Sequence, residues 1–70
     1  MSSAREAVLA VLGDAAEPIH WTVIQDRALR AGYLDPFAQP DIRGAVVRAL
    51  RALVAEGLVV RVETGVYALA

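Results

Sequence analysis

Only one side chain in this chain of 70 residues, His20, is of the type that serves as a general base near neutral pH. A covalent nucleophile needs such a base within hydrogen-bond reach, and a third group that orients the base. The chain has no cysteine, and no spacing in the sequence brings a serine or a carboxylate beside His20. We therefore interpret His20 as a residue that packs or hydrogen-bonds locally at the start of a helix. The chain is expected not to be an enzyme.

The sequence also lacks the groupings of side chains that hold metals, cofactors or small substrates. Without cysteine it has neither a disulfide nor a thiolate metal site. It has no Gly-rich loop of the kind that surrounds a phosphate group. Carboxylates at short spacings, such as Asp35 and Asp41, are too common to indicate acid–base chemistry. The sequence predicts no catalytic residue, no metal, no cofactor and no small-molecule substrate.

Arginine is the remaining residue type with a specific binding chemistry. All seven basic residues are Arg, and Arg43, Arg48 and Arg51 lie on one helix-like run. Arg makes bidentate contacts with phosphates and with the edge of guanine. A solvated helix face explains each Arg equally well, and arginine-rich usage is also typical of a GC-rich bacterial genome. The net charge of −1 argues against a simple nucleic-acid binder, for which a basic domain is expected.

Two short amphipathic helices are predicted in the first half of the chain. Ser3 and Glu6 have the spacing of a capping box, and Gly13 is the expected end of the helix that follows. Thr22 and Gln25 repeat the capping-box spacing at the start of a second helix. Apolar residues recur on one face of each helix. The predicted core residues of the two helices are Val8, Val11, Leu12, Ile24 and Ala28.

A turn and a longer helix are predicted next. The second helix is expected to end at Gly32, and two prolines exclude a continuous helix through the turn that follows. Tyr33, Leu34 and Phe37 are predicted to hold this turn against the core. A third helix is predicted over residues 40–56, with an inward face at the helical spacing. That face consists of Ile42, Val46, Ala49, Leu50 and Leu53.

The chain closes with a predicted β-hairpin over residues 58–69. Its two β-like runs, 58–62 and 66–69, are joined by a short loop in which Gly65 supplies positive φ. Residues 19–21 form a further extended stretch and are the candidate for a third strand. This order, three helices followed by a terminal hairpin, is typical of a winged helix-turn-helix.

The register of the hairpin determines which side chains share a face. If Val62 pairs with Val66, then Arg61 lies opposite Tyr67. Both faces of the hairpin are then largely apolar. The sequence leaves open which of the two meets the helices.

The predicted fold class is therefore α+β: a winged helix-turn-helix of three helices and a small antiparallel β-hairpin of two or three strands. It forms a single domain over residues 1–70, excised from, or N-terminal in, a larger protein. Hydrophobic residues make up 57% of the chain, more than the thin core of so short a domain can bury. Exposed apolar surface is therefore expected. With no membrane span, signal peptide or cysteine in the sequence, we expect a cytoplasmic protein.

Several short motifs resemble those of one family. Residues 18–20 (Pro-Ile-His) and 32–34 (Gly-Tyr-Leu) resemble the first half of the HARE-HTH family. Residues 60–69, with Arg61-Val62 and a later Gly-x-Tyr-x-Leu, resemble its closing motif. The N-terminal domains of Mrr-type restriction proteins have a similar ending, and the N-terminal domain of the RNA polymerase delta subunit is also similar. The resemblance implies a winged-helix fold, often joined to a nucleic-acid effector domain, and it implies DNA binding or polymerase docking.

The leading functional hypothesis is a non-catalytic module that binds double-stranded DNA. Helix 40–56 is its recognition helix and hairpin 58–69 is its wing, since early residues of the second helix of a helix-turn-helix contact bases. The alternative is a protein-interaction or dimerisation module that does not bind DNA directly. Its homodimer or protein partner would use the exposed apolar surface. The predicted DNA-binding residues are Arg43, Gly44, Arg48 and Arg51 on the helix, Arg27, Arg30 and Arg61 at the backbone, and Thr64 on the wing.

Overall fold

The computed structural model describes residues 3–70, so Met1 and Ser2 of the predicted domain lie outside the described residues. Three helices pack on a three-stranded antiparallel sheet of strand order β1–β3–β2, which confirms the predicted α+β winged helix-turn-helix. Within residues 3–70 no helix has both the length and the apolar character needed to cross a membrane. The elements are α1 (Ala4–Asp14), β1 (Ile19–His20), α2 (Trp21–Arg30), α3 (Ile42–Ala55), β2 (Val59–Glu63) and β3 (Val66–Leu69).

The start of α1 is as predicted. The Glu6 N–H donates to Ser3 Oγ at 3.2 Å, and the Ser3 N–H donates to Glu6 Oε1 at 3.1 Å, which completes a capping box. These hydrogen bonds hold the pKa of Glu6 below its usual range. The predicted end at Gly13 is wrong, because α1 continues through Gly13 to Asp14. The chain leaves the helix at Ala15, whose backbone is extended.

The start of α2 differs from the prediction. The helix begins at Trp21, and its N-cap is His20, whose Nδ1 accepts a hydrogen bond from the Thr22 N–H at 3.2 Å. The predicted capping box of Thr22 and Gln25 is therefore wrong. The local hydrogen-bonding role expected for His20 is confirmed. At the other end, Gly32 takes a φ of 77° just beyond the helix, where a glycine avoids the strain of a side chain.

The turn between α2 and α3 is fixed mainly by its backbone. Leu34 is buried and Tyr33 half-buried, as predicted, but Phe37 is 96% exposed, so its predicted place against the core is wrong. Asp35 holds the turn without the ring: its Oδ1 accepts the Phe37 N–H at 2.9 Å, and its carbonyl accepts the Gln39 N–H at 2.9 Å. With the backbone satisfied in this way, the aromatic ring projects into solvent.

The longest helix, α3, spans Ile42–Ala55, slightly less than the predicted 40–56. Asp41 is the N-cap, and its Oδ1 accepts the Gly44 N–H at 3.0 Å. At the other end Glu56 is the C-cap and forms a two-bond ion pair with Arg5 of α1, with N–O distances of 2.5 and 2.7 Å. The ion pair joins the start of α1 to the end of α3.

The core lies where the apolar faces of the three helices meet the sheet. Every residue predicted for the inward faces of the helices is buried except Ile42 and Ala49, which are half-buried and pack against the core. Burying a Val, Leu or Ile side chain stabilises a fold by about 1.5–3 kcal/mol, so these positions hold the helices together. The structure adds four buried residues that were not predicted: Ala7, Ile19, Ala45 and Val59.

The terminal hairpin, residues 59–69, is called the wing from here on. Arg61 lies opposite Tyr67, as predicted, but Val66 pairs with Glu63 rather than with Val62, because β2 has an irregularity between Arg61 and Glu63. Val59 is buried, so the face that carries Val59, Arg61 and Tyr67 meets the helices. Val62, on the outer face, is 52% exposed.

Candidate nucleic-acid interface

A groove of about 420 Å³ runs between α3 and the wing, and is called the α3–wing groove. Its helical wall contains Val47, Leu50, Arg51 and Val54. Arg43, Val47 and Arg51 follow one another at intervals of four residues, so they lie on one side of α3. That side faces the wing, because Val47 and Arg51 both line the groove. Arg51 is thus part of the helical wall, and Arg43 lies on the same side of α3, beyond Val47.

Trp21, the first residue of α2, lies at one end of the groove. The guanidinium carbon of Arg43 is 5.1 Å from the centroid of the Trp21 ring, within the range of a cation–π contact. The contact orients the Arg43 guanidinium against Trp21, a residue of the groove lining. Trp21 is half-buried, so its ring also forms part of the apolar lining.

The second wall of the groove is the inner face of the wing. Arg61, Thr64, Gly65 and Tyr67 contribute to it. The Arg61 Nη2 donates to Thr64 Oγ1 at 3.3 Å, so the guanidinium lies beside the loop of the wing. Arg61 and Arg51 therefore lie on opposite walls of one groove.

The tip of the wing is fixed to the start of α2. The Trp21 N–H donates to the Gly65 carbonyl at 2.9 Å. Gly65 has a φ of 78°, and a Cβ at this position would lie 2.7 Å from His20 Nε2, closer than side chains approach. The loop can therefore contact His20 only because residue 65 is glycine. This contact sets the distance between the wing and the helices.

The arginines at the groove have no acidic partner among the residues that the structure describes. Ion pairs over residues 3–70 join Arg5 to Glu56, Arg30 to Asp26 and Arg48 to Asp41. The three arginines at the groove form no ion pair within this range. A chain of net charge −1 therefore gathers unpaired positive charge in one place. The arginines in question are Arg43, Arg51 and Arg61.

The structure brings together only some of the predicted binding residues. Arg43, Arg51, Arg61 and Thr64 lie at the groove, whereas Gly44 and Arg48 lie on a neighbouring side of α3. The Arg48 Nη1 lies 3.6 Å from Asp41 Oδ2.

Gly44 has a structural role that sequence reasoning missed. A Cβ at this position would overlap the carboxylate of Asp41, the N-cap of α3. The missing side chain therefore leaves room for the cap. Gly44 was predicted from the sequence only as a DNA-binding residue, and the structure gives a separate reason for a glycine here.

The predicted residues on α2 lie outside the groove lining. Arg30 Nε lies 3.0 Å from Asp26 Oδ2, one helical turn earlier, and both side chains are exposed. Arg27 is also exposed on α2. An exposed pair of this kind contributes about 0–1 kcal/mol and breaks easily, so Arg30 is free to exchange Asp26 for another anion.

Sequence reasoning missed the aromatic part of the site. Trp21 and Tyr67 line the groove, yet neither was a candidate binding residue. No signal was available for Tyr67, because the sequence left open which face of the hairpin meets the helices.

No group of three or more metal-ligating side chains is found among residues 3–70. Comparisons with protein-family models, with curated proteins and with solved structures found no match to this chain. The winged-helix fold therefore rests on the structure described above. The resemblance to the HARE-HTH family stays a prediction from the motifs.

Proposed function

We propose that this chain is a non-catalytic winged-helix module that binds double-stranded DNA through α3 and the wing. One observation carries the proposal: Arg51 and Arg61 line one groove, Arg43 stacks on Trp21 of its lining, and none of the three has an ion-pair partner within residues 3–70. Each phosphate that such an arginine neutralises releases a counter-ion from the DNA, which favours binding. The groove gathers positive charge in a chain whose net charge is −1.

The position of each residue supports a different role on the duplex. Arg51 and Arg61, on opposite walls of the groove, are assigned to phosphates of one strand. Arg43, Gly44 and Arg48 lie in the first half of α3, the part of a recognition helix that contacts base edges. Arg48 would exchange Asp41 for DNA at small cost, because the pair is exposed.

Residues outside the groove are assigned to the flanking backbone. Arg27 and Arg30 are exposed on α2, the helix that crosses the DNA backbone in helix-turn-helix proteins. Thr64, in the loop of the wing, offers a hydroxyl donor to a phosphate. Glu63, at the end of β2, and Asp41, the N-cap of α3, are acidic and repel phosphates. They limit the expected affinity for DNA.

Fluorescence anisotropy with a labelled duplex tests the proposal. If the four arginines assigned to the backbone each neutralise one phosphate, the slope of log K against log salt is about −3.6, and affinity falls about 150-fold between about 50 and 200 mM salt. These arginines are Arg27, Arg30, Arg51 and Arg61. The double variant Arg51→Ala, Arg61→Ala is expected to reduce the slope to about −1.8. Absence of binding by the wild-type chain at the lower salt concentration would refute the proposal.

A charge-matched control separates a local site from net charge. Arg5→Ala removes one positive charge from a residue that does not line the groove. It is expected to leave the salt slope unchanged, whereas Arg51→Ala alone reduces it by about 0.9. Equal effects of the two substitutions would mean that DNA responds to overall charge only.

The resemblance to the HARE-HTH family supports a wider setting for the same activity. Members of that family are often joined to restriction, chromatin or other effector domains. We infer that this module directs such an effector or regulator to DNA in the cytoplasm. Sequencing the gene that encodes the full-length protein tests this inference, since an adjoining effector domain is expected and a gene that encodes the 70 residues alone would contradict it.

Exposed apolar side chains favour a second candidate, a protein-interaction module that does not bind DNA directly. Phe37 is 96% exposed and Val62 on the outer face of the wing is 52% exposed. Exposed apolar side chains that are grouped together mark partner sites more often than single ones. Failure of DNA binding together with concentration-dependent association would favour this candidate.

A further inference from the structure

Phe37 is the most exposed large hydrophobic residue of the described chain, with 96% of its surface open to solvent. The turn that carries it, residues 35–39, is called the Phe37 turn. Its backbone is fixed at three points: the Asp35 carboxylate accepts the Phe37 N–H, and the Asp35 carbonyl accepts the N–H groups of Ala38 and Gln39. Pro36 restricts the turn further. An aromatic ring on a fixed backbone loses little entropy when it binds.

The surroundings of Phe37 are acidic. Between Tyr33 and Ile42 the chain carries Asp35 and Asp41 and has no basic residue. The Asp35 carboxylate lies next to Phe37, because it accepts the Phe37 N–H at 2.9 Å. A surface that receives this ring should therefore combine an apolar floor with a positively charged rim.

The α3–wing groove has both properties. Its floor includes Val47, Val54 and Tyr67, and Arg51 and Arg61 stand on its two walls. The groove has a volume of about 420 Å³, and a water molecule occupies about 30 Å³ in the liquid. The groove therefore holds several water molecules, which an aromatic ring can displace. The exposure of Phe37 means that the groove of the same copy does not hold it.

We propose that the Phe37 turn of one copy docks in the α3–wing groove of a second copy. The ring contacts the apolar floor, and Asp35 approaches Arg51 and Arg61. The proposed contact is heterologous, so a bound pair leaves a free turn on one copy and a free groove on the other. The inference does not depend on DNA binding, because it concerns the chain alone.

The size of the contact determines its strength. A buried Phe removes about 150–250 Å² from solvent, far less than the roughly 1,200–2,000 Å² of a stable interface. The association is therefore weak, and should be measured from about 10 μM to about 1 mM protein, the range of weak dissociation constants. Because the contact is heterologous, the average mass should continue to rise with concentration beyond that of two copies.

Two readouts test the proposal in the absence of DNA. Trp21 is the only tryptophan of the chain and lines the groove, so its emission reports directly on occupancy. Sedimentation equilibrium reports the mass. Wild type is expected to show a concentration-dependent change in both, and Phe37→Ala to weaken association about 10- to 100-fold. A monomeric wild type with constant Trp21 emission would overturn the proposal.

Matched variants distinguish this contact from non-specific hydrophobic association. Val62→Ala removes exposed apolar surface from the outer face of the wing and should associate as wild type does. Phe37→Ala should fold normally, since the ring is exposed, and an unchanged unfolding midpoint verifies this. If Phe37→Ala associates as strongly as wild type, or if Val62→Ala loses association equally, the proposed contact is wrong.

A mixing experiment is the most specific test. The Phe37→Ala variant retains the groove, and a double variant Arg51→Glu, Arg61→Glu retains the Phe37 turn. Each alone is expected to stay monomeric. The equimolar mixture should regain association that stops at two copies, because only one contact can form. A mixture that remains monomeric while wild type associates would show that the turn and the groove are not partners.

Discussion

Gly65 in the loop of the wing is the residue whose replacement most directly tests how the wing is held. Its φ is 78°, and a Cβ would lie 2.7 Å from His20 Nε2 and 3.0 Å from His20 Cδ2. Gly57, just after α3, has the same φ of 78° but has nothing within 4 Å of the corresponding position. The two glycines share the same φ, but only a side chain at residue 65 would meet His20.

The expected magnitudes follow from this difference. Alanine in the left-handed region costs about 1–2 kcal/mol at either position. At Gly65 the steric conflict must also be relieved. Either the His20 ring moves and loses its hydrogen bond with the Thr22 N–H, or the loop moves and loses the hydrogen bond from the Trp21 N–H. Each loss costs about 1 kcal/mol. Gly65→Ala should therefore destabilise the fold by about 1 kcal/mol more than Gly57→Ala.

Thermal unfolding followed by circular dichroism measures the difference. For a domain of this size, about 1 kcal/mol corresponds to about 4–8 °C in the midpoint. Gly65→Ala is expected to unfold at a temperature lower by that amount than Gly57→Ala. Equal midpoints for the two variants would refute the view that His20 and Trp21 fix the tip of the wing.

Three further substitutions test the ends of the helices. Asp41→Asn keeps a good N-cap but removes a negative charge from the start of α3, so stability should change by only a few tenths of a kcal/mol while duplex affinity in anisotropy rises. Gly44→Ala displaces the Asp41 carboxylate and should lower stability in urea unfolding by about 0.5–2 kcal/mol, the usual cost of a lost cap. The hydrogen bond and charge of Arg5 hold the pKa of Glu56 below its ordinary 4.5, so this ion pair stabilises the fold above that pH and the effect is lost as the pH falls. Glu56→Gln should therefore show a smaller fall in unfolding midpoint from about pH 6 to about pH 3 than wild type, and equal falls would contradict this role for the pair.

Features that depend on neighbouring residues could be predicted from the sequence. The capping box of Ser3 and Glu6 forms within one helical turn, so its spacing alone was sufficient. The apolar stripes of the three helices were also predictable, because helical periodicity places them on one side. In α3 the stripe through Val46, Leu50 and Leu53 is buried as expected.

The start of α2 could not be predicted because a distant strand decides it. Thr22 has good N-cap chemistry, and the local sequence favoured it. His20, however, pairs with Val66 of β3, which keeps its backbone extended until the helix begins at Trp21. The imidazole is then in position to accept the Thr22 N–H. A sheet contact 46 residues away in sequence therefore determines the cap.

The exposure of Phe37 could not be predicted for a different reason. Its hydrophobicity predicted burial, but Leu34 already closes the core at this turn, and Asp35 satisfies the backbone. Composition did predict that some apolar surface would remain exposed. It could not predict which residue, since that depends on how the turn closes.

The candidate site was predictable only along the helix. The helix that carries Arg43 and Arg51 was predicted, while the position of Arg61 opposite Arg51 depended on which face of the wing turns inward. The buried Val59 determines that face, and a hairpin with two apolar faces does not reveal it in advance.

An amide-shift NMR titration with duplex DNA at about 50 mM salt, where phosphate contacts are strong, would locate the DNA site on the folded chain. The largest shifts are expected around the α3–wing groove, at Arg43, Arg51, Arg61 and Thr64, and at the Trp21 side-chain N–H. The outward side of α1 should remain unchanged. Shifts confined to α1 or to the outer face of the wing, or no shifts at all, would contradict the proposed DNA site.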